Sequence, residues 1–573
     1  MIIKNIKLLI LSIIINFVLI SLTSAATIVT GWTISSNTTW TTWNTYHVTS
    51  NLSINSWVLF TIQEWVVIKI DSWRSIAISW NLQAIWTLWN EIIFTSKNDD
   101  SVWDTIVWSS WSPSPWDWLN FSLNWAWSDL SVLDYLEIKY WWATTAWLLF
   151  NVSDSTISNS LITDSATKWI WSYSSNPLIS YTTVNNSGSD GIHLYTWAPL
   201  LFDNNMISNS GWHWLNIWTI SIDITNSTMS WSTLYGIYST SYTSTYLNNQ
   251  VLNNGNPIYS ENVEPYLVWS NTTITWNIWE RLWISFEMVS TSWTIKNYAW
   301  YNYHVISSKS IDSWETLTIE PWNIFKVDFW RNIQIAWNLQ AIWTELNPII
   351  FTSYNDNSVW DTEWTWTPSP WDWSYIIINS SWSDATVLDY VEIRYWWATS
   401  AWIQFNTSDS TISNSIITDS ATKWIYTYSS NLSISNTSIN NSWTDWLHLY
   451  NWVPTLVDNN IITNSGWHWL NMWGISVDIT NNTFSWSTLY WIYSTSYTAT
   501  FSNNEVLNNG SAIYSENVEP YLISSNTTIT WNTSERLWIS FEMVWLTWTI
   551  KNYPWHNYHV ISSKSIDSWE TLT

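Results

Sequence analysis

The chain has 573 residues, 43 of them acidic and 17 basic, for a formal net charge of −26. That charge argues against nucleic acid and anionic membrane surfaces as partners, and the absence of cysteine excludes disulfides and thiol chemistry. The composition is unusual in carrying 61 Trp but only 9 Gly, whereas glycine is ordinarily about 7% of residues.

At the N-terminus, Lys4 and Lys7 precede an apolar run from Leu8 to Leu22 that ends in Ser24-Ala25-Ala26. This pattern predicts a secretory signal peptide over residues 1–26. No later segment has the roughly 18 uninterrupted apolar residues of a membrane span. The mature chain is therefore expected to be secreted or to act at the cell surface, without a transmembrane segment.

After a lead-in over 27–45, the chain is a tandem duplication. Val132-Leu133-Asp134-Tyr135 recurs as Val387-Leu388-Asp389-Tyr390, Glu280-Arg281-Leu282 as Glu535-Arg536-Leu537, and Tyr303-His304-Val305 as Tyr558-His559-Val560. Copy one spans 46–302, copy two 303–557, and 558–573 begins a third copy. Between the copies, Gly188, Gly191 and Gly236 stand opposite Trp443, Trp446 and Trp491. A position that needs positive φ or close backbone approach admits glycine and rejects a large ring. A one-base relation between UGA and the glycine codon GGA explains the exchange, so most printed Trp are expected to be glycines read through a UGA-as-glycine code. Trp171, opposite Tyr426, is expected to be genuine, and Trp118 and Trp373 are further candidates.

Early in each copy, Val66–Ile70, Ile76–Ile78, Leu82–Ile85 and Ile92–Phe94 read as short strands between turns. A loop follows, carrying Asp99, Asp100 and Asp104 in copy one and Asp356 and Asp361 in copy two. Such clustered carboxylates offer the hard oxygens that Ca²⁺ prefers, although not at EF-hand spacing.

From Thr156 onward the period shortens to 22 or 23 residues. Aligned units place Asn159, Asn204, Asn226, Asn248 and Asn271 in one column, with Asn414, Asn436, Asn459, Asn481, Asn503 and Asn526 in copy two. Three residues on, a second column holds Ile162, Val184, Ile207, Met229, Val251 and Ile274. Short β-branched strands at fixed spacing predict a solenoid whose rungs bury their apolar faces only by stacking.

The pattern resembles the right-handed parallel β-helix repeats of the pectate-lyase-like superfamily, over nearly all of 46–573. The resemblance implies an all-β solenoid with the asparagines as a rung-to-rung amide ladder. It leaves activity open, because this architecture hosts enzymes and adhesins alike.

Enzymes of that superfamily pair acids with a basic Arg or Lys, and the nearest candidates are Glu280 and Arg281 with Glu535 and Arg536. Asp134, Glu137 and Lys139, with Asp389, Glu392 and Arg394, read instead as surface charge pairs. A third column lies one residue beyond the inward Ile170 position and points outward by strand alternation. It runs Trp171, His193, Asn216, Tyr238, Tyr259 in copy one and Tyr426, His448, Asn471, Tyr493, Tyr514 in copy two. Stacked at rung spacing, these rings and amides suit a linear polysaccharide or cell-surface glycan. The sequence thus points to an exported glycan-binding or adhesive element, with a polysaccharide lyase or glycoside hydrolase as the alternative.

Overall fold

A computed structural model describes residues 27–561 apart from 88–89, 142–147, 196–200, 219–221, 241–244, 261–270, 286–292, 312–313, 361–366, 397–402, 424, 446, 451–454, 469, 474–476, 495–499, 516–525 and 541–549. Residues 1–26, expected to be a signal peptide, and most of 558–573, expected to begin a third copy, lie outside the described residues. The chain divides into two compact units, the first ending in the main at Tyr259 and the second beginning in the main at Glu280.

Each unit is a right-handed parallel β-helix. In the first, a rung such as 156–173 supplies three short strands, Thr156–Ser158, Leu161–Ser165 and Ile170–Tyr173. Each pairs in parallel with its equivalent on the next rung, so Ile157 faces Ile179, Ile162 faces Val184 and Ile170 faces Ile192. The second unit repeats this, with Ile412 on Ile434, Ile417 on Ile439 and Ile425 on Leu447. Among the described residues the only helical element is a single 3-10 turn, Ala126–Ser128, and no helix is long and apolar enough to cross a membrane.

The core follows from alternation. The column Ile162, Val184, Ile207, Met229, Val251 is completely buried, and each such side chain contributes on the order of 2 kcal/mol relative to exposure. A rung cannot realise that gain alone, because its apolar atoms are covered by the rungs above and below.

The sharp corner after each first strand requires left-handed backbone. Asn159, Asn204, Asn226, Asn248, Asn414, Asn436, Asn459, Asn481 and Asn503 all have φ between 47° and 59°, a region asparagine tolerates better than most residues. Their side chains face outward and bond from rung to rung, Asn248 Nδ2 to Asn226 Oδ1 at 3.2 Å and Asn159 Nδ2 to Asp134 Oδ1 at 2.7 Å. Asn271 and Asn526 are likewise exposed. The buried amide ladder lies one residue further along. Asn482 Oδ1 accepts from the Asn460 amide at 2.8 Å, and its Nδ2 donates to the Val457 carbonyl at 2.8 Å. Asn504 does the same one rung on, and Asn205 and Asn249 do so in the first unit.

Many tryptophans occupy backbone that tryptophan rarely adopts. Trp32, Trp108, Trp276, Trp531 and Trp555 have φ of 76°, 70°, 60°, 60° and 68°, with their rings almost entirely in solvent. A Cβ at Gly188 would lie 2.2 Å from the Ala166 carbonyl oxygen, yet its copy-two equivalent is Trp443. Trp118 and Trp373 are different. Both are fully buried, and their ring N–H groups donate to the carbonyls of Lys139 and Arg394 at 3.1 and 3.0 Å.

Candidate functional site

The third strand of each rung alternates inward and outward residues, and parallel register aligns the outward ones. Trp171 pairs with His193, His193 with Asn216, and Asn216 with Tyr238. In the second unit the line runs Tyr426, His448, Asn471, Tyr493, Tyr514. The rings pack along it. Tyr238 stacks on Tyr259 with centroids 4.6 Å apart and planes 9° from parallel, and Tyr493 on Tyr514 at 5.0 Å and 6°. The tyrosines are half-buried, whereas His193 and the two asparagines are buried beneath their neighbours.

A second aromatic row, not anticipated from the sequence, lies two residues on. Tyr173 stacks on Tyr195 at 5.8 Å, with Trp218 beyond, and Tyr428 stacks on Tyr450 at 5.7 Å, with Trp473 beyond. Tyr173, Trp218, Tyr428 and Trp473 are exposed. The same alternation rule would have found this row by stepping one more pair along the strand.

At the centre of each stripe a buried carboxylate gathers imidazoles from successive rungs. Asp190 lies 2.8 Å from His213 Nδ1 and 3.1 Å from His193 Nδ1, and it accepts from Asn216 Nδ2 at 3.1 Å. Lys168 Nζ is 4.0 Å away and stands over the Trp171 ring. The second unit repeats the set with Asp445, His468 at 3.0 Å, His448 at 3.6 Å and Asn471 at 3.2 Å. Burial pushes each carboxyl up, but His193, His213 and Asn216 bonded to Asp190, and His468 and Asn471 bonded to Asp445 with His448 close by, outweigh it and hold both well below the usual carboxylate range. His213 also packs against Tyr235 and Tyr238, so the carboxylate fixes the orientation of an imidazole set within the aromatic surface.

The other candidates lie elsewhere. Asp99 is buried, with Oδ2 accepting from Thr95 at 2.7 Å and 3.2 Å from Lys139 Nζ. Asp100 lies 3.9 Å from Lys69 Nζ, and Asp104 accepts from Thr27. Asp356 is 3.2 Å from the Arg394 guanidinium, and Asp361 lies outside the described residues. The loop carboxylates thus face protein cations and hydroxyls. Among the described residues no group of three or more His, Asp or Glu is gathered as a metal ion requires. Lys139 and Arg394 also pair with Glu137 and Glu392 at 3.2 and 2.9 Å, but under the loop rather than on an open surface. Asp134 and Asp389 accept from the corner residues Asn159 and Asn414 at 2.7 Å. Glu280 accepts from the Trp360 ring N–H, and Arg281 is buried. Glu535 and Arg536 are exposed, with Arg536 over Trp538. These two pairs are therefore placed differently in the two copies.

No family model matches the chain, and no curated protein matches it. Among solved structures it is similar to the PL6 family alginate lyase AlyGC, at 9% identity and a TM-score of 0.24, over 96% of this chain and all of that one. A likeness at that level says nothing of this chain's own chemistry.

Proposed function

We propose that the protein is exported and acts at the cell surface by binding a linear glycan along the outward aromatic stripe. The observation that carries this reading is the in-register stacking of Tyr238 on Tyr259 and of Tyr493 on Tyr514, each beside a fixed imidazole and amide. Ring faces supply apolar contact to sugar rings, at about 1 kcal/mol per ring, and amides supply directional hydrogen bonds. Repetition along the solenoid lets weak single contacts sum to strong retention. The competing reading, a polysaccharide lyase or glycoside hydrolase, would place general-base chemistry on His213, whose Nδ1 side is held by Asp190 so that Nε2 faces a substrate. The triple change of Tyr426, Tyr493 and Tyr514 to Ser separates the two. Weaker retention on an immobilised cell-surface glycan with unchanged circular dichroism supports binding. Release of shortened products by the wild type, abolished by His213→Ala and His468→Ala together, would replace the binding reading with the enzymatic one.

We also propose that most of the printed tryptophans are glycines in the native protein, encoded by UGA. Support comes from the left-handed φ at exposed positions such as Trp276 and Trp531. It comes equally from the pairing of Gly188, where a Cβ has no room, with Trp443. The buried, hydrogen-bonded Trp118 and Trp373 stand apart as genuine rings. The test is direct: codons 443, 446 and 491 should be UGA, and native peptides spanning them should carry the mass of glycine. UGG codons there would refute it.

A further inference from the structure

Beneath the 97–118 loop of the first unit lies a lysine poorly accounted for as an ion-pair partner. Lys69 occupies an outward column between His47 and Thr95, and its side chain is wholly buried. Nζ donates to the backbone carbonyls of Asp99 at 2.9 Å and Val102 at 3.4 Å. The Asp100 carboxylate stands beside it, with Oδ1 3.9 Å away. That oxygen is itself buried and accepts no hydrogen bond, while Ser109 Oγ donates to the other carboxylate oxygen at 2.8 Å. A buried ion pair at this separation recovers little of its desolvation cost. Passing the ammonium proton to the carboxylate removes both charges and leaves a neutral amine beside a carboxylic acid. Burial pushes the Lys69 ammonium below its ordinary value despite the opposing pull of Asp100, Asp99 and Asp104.

The neighbouring cation behaves differently. Lys139 makes close ion pairs with Asp99 and Glu137, both at 3.2 Å, and in the second unit Arg394 takes its place against Asp356 and Glu392. Either cation serves at that position. At the Lys69 position the second unit again has a buried lysine, Lys326, in the same register between His304 and Thr352. Opposite Asp100, however, it has Asn357. Exchanging a carboxylate for an amide destroys an ion pair but preserves an acyl carbon that an amine can attack.

We propose that Lys69 and Asp100 are joined by an intramolecular isopeptide bond, with Lys326 and Asn357 forming its counterpart in the second unit. In the first, the ammonium proton passes to the carboxylate and Nζ attacks Cγ. A C–N bond forms, a C–O bond breaks and one water leaves. The Ser109 hydroxyl, donating to the carboxyl, polarises the carbon under attack. In the second, Nζ attacks the amide carbon of Asn357, the old C–N bond breaks, and ammonia departs with the lysine proton as ammonium. Neither step needs an oxidant or cofactor. The product ties the 97–118 loop to the strand Val67–Ile70 in a chain that has no cysteine to do so.

The experiment is mass spectrometry of the folded full chain from a synthetic gene. The expected intact mass falls below the sequence mass by one water and one ammonia. A digest should yield one branched peptide joining Lys69 to Asp100 and another joining Lys326 to Asn357. Lys69→Arg should restore the water, whereas Asp100→Asn should leave the product mass equal to that of the wild type. Linear peptides with unmodified Lys69 and Asp100 overturn the proposal, as does a deficit of ammonia alone for the first unit. If Lys69→Arg fails to fold, the wild-type digest decides the question.

Discussion

Replacing the five exposed, left-handed tryptophans Trp32, Trp108, Trp276, Trp531 and Trp555 with glycine should stabilise the protein. A non-glycine residue held in left-handed backbone costs roughly 1–2 kcal/mol. Glycine returns part of that through its looser unfolded chain, roughly 0.5–1 kcal/mol. Each residue is at least 78% exposed, so little packing is lost with its ring. The net gain is about 0.5–1 kcal/mol per site, or about 2.5–5 kcal/mol for the set if distant sites add. Urea unfolding followed by circular dichroism reads this as a higher midpoint at unchanged slope. Trp118→Gly is the control: the ring is fully buried and donates to the Lys139 carbonyl, so its loss should cost on the order of 3–5 kcal/mol. A five-site variant less stable than the parent would refute the reasoning, because it would mean that these rings earn their place.

The two amide columns should respond oppositely. Asn482→Ala strips a partner from the Asn460 N–H and the Val457 carbonyl and should cost about 2–4 kcal/mol, whereas the neighbouring exposed Asn481→Gly should cost less than about 0.5 kcal/mol, both measured by urea unfolding. Asp190 and Asp445 have depressed carboxyl values in the fold, so their stabilisation is complete above the unfolded value of about 3.9 and is lost as pH falls below it. Asp190→Asn should therefore flatten the acid limb of the stability–pH curve below about pH 4, read by urea unfolding across that range. Calcium should leave the melting temperature unchanged, because Lys139 and Arg394 already face Asp99 and Asp356; a clear rise on adding calcium would show that the loops gather it.

Much of this architecture is legible because a solenoid writes its stacking into sequence spacing. The Ile162–Val184–Ile207 column could be read from period alone, since residues one rung apart are also neighbours in space. The corner asparagines were legible for the same reason. The buried ladder was harder to see, because Asn205 and Asn249 are separated by Ser227, whose hydroxyl accepts from the Asn205 N–H as an asparagine would but donates to the Thr225 carbonyl of its own rung. The Asp190 cluster was only half visible. His193 and Asn216 fall in the stripe column, but Asp190 and His213 sit in the turns just before the strands and converge only when two successive rungs stack. The Lys69 site depends on a loop folding back over the sheet, which no periodicity encodes. The duplication hinted at it only by keeping a lysine at 326.

Oligosaccharides of increasing length, titrated into the full chain by calorimetry, test the glycan-stripe reading most directly. If sugars lie along the stacked rings, affinity should climb roughly fivefold for each further ring engaged, at about 1 kcal/mol per ring, until the row is filled. The Tyr426, Tyr493 and Tyr514 to Ser variant should lose most of that climb while still binding the shortest ligands weakly. Affinity independent of length, or a variant that follows the wild-type curve, would contradict a linear aromatic binding surface.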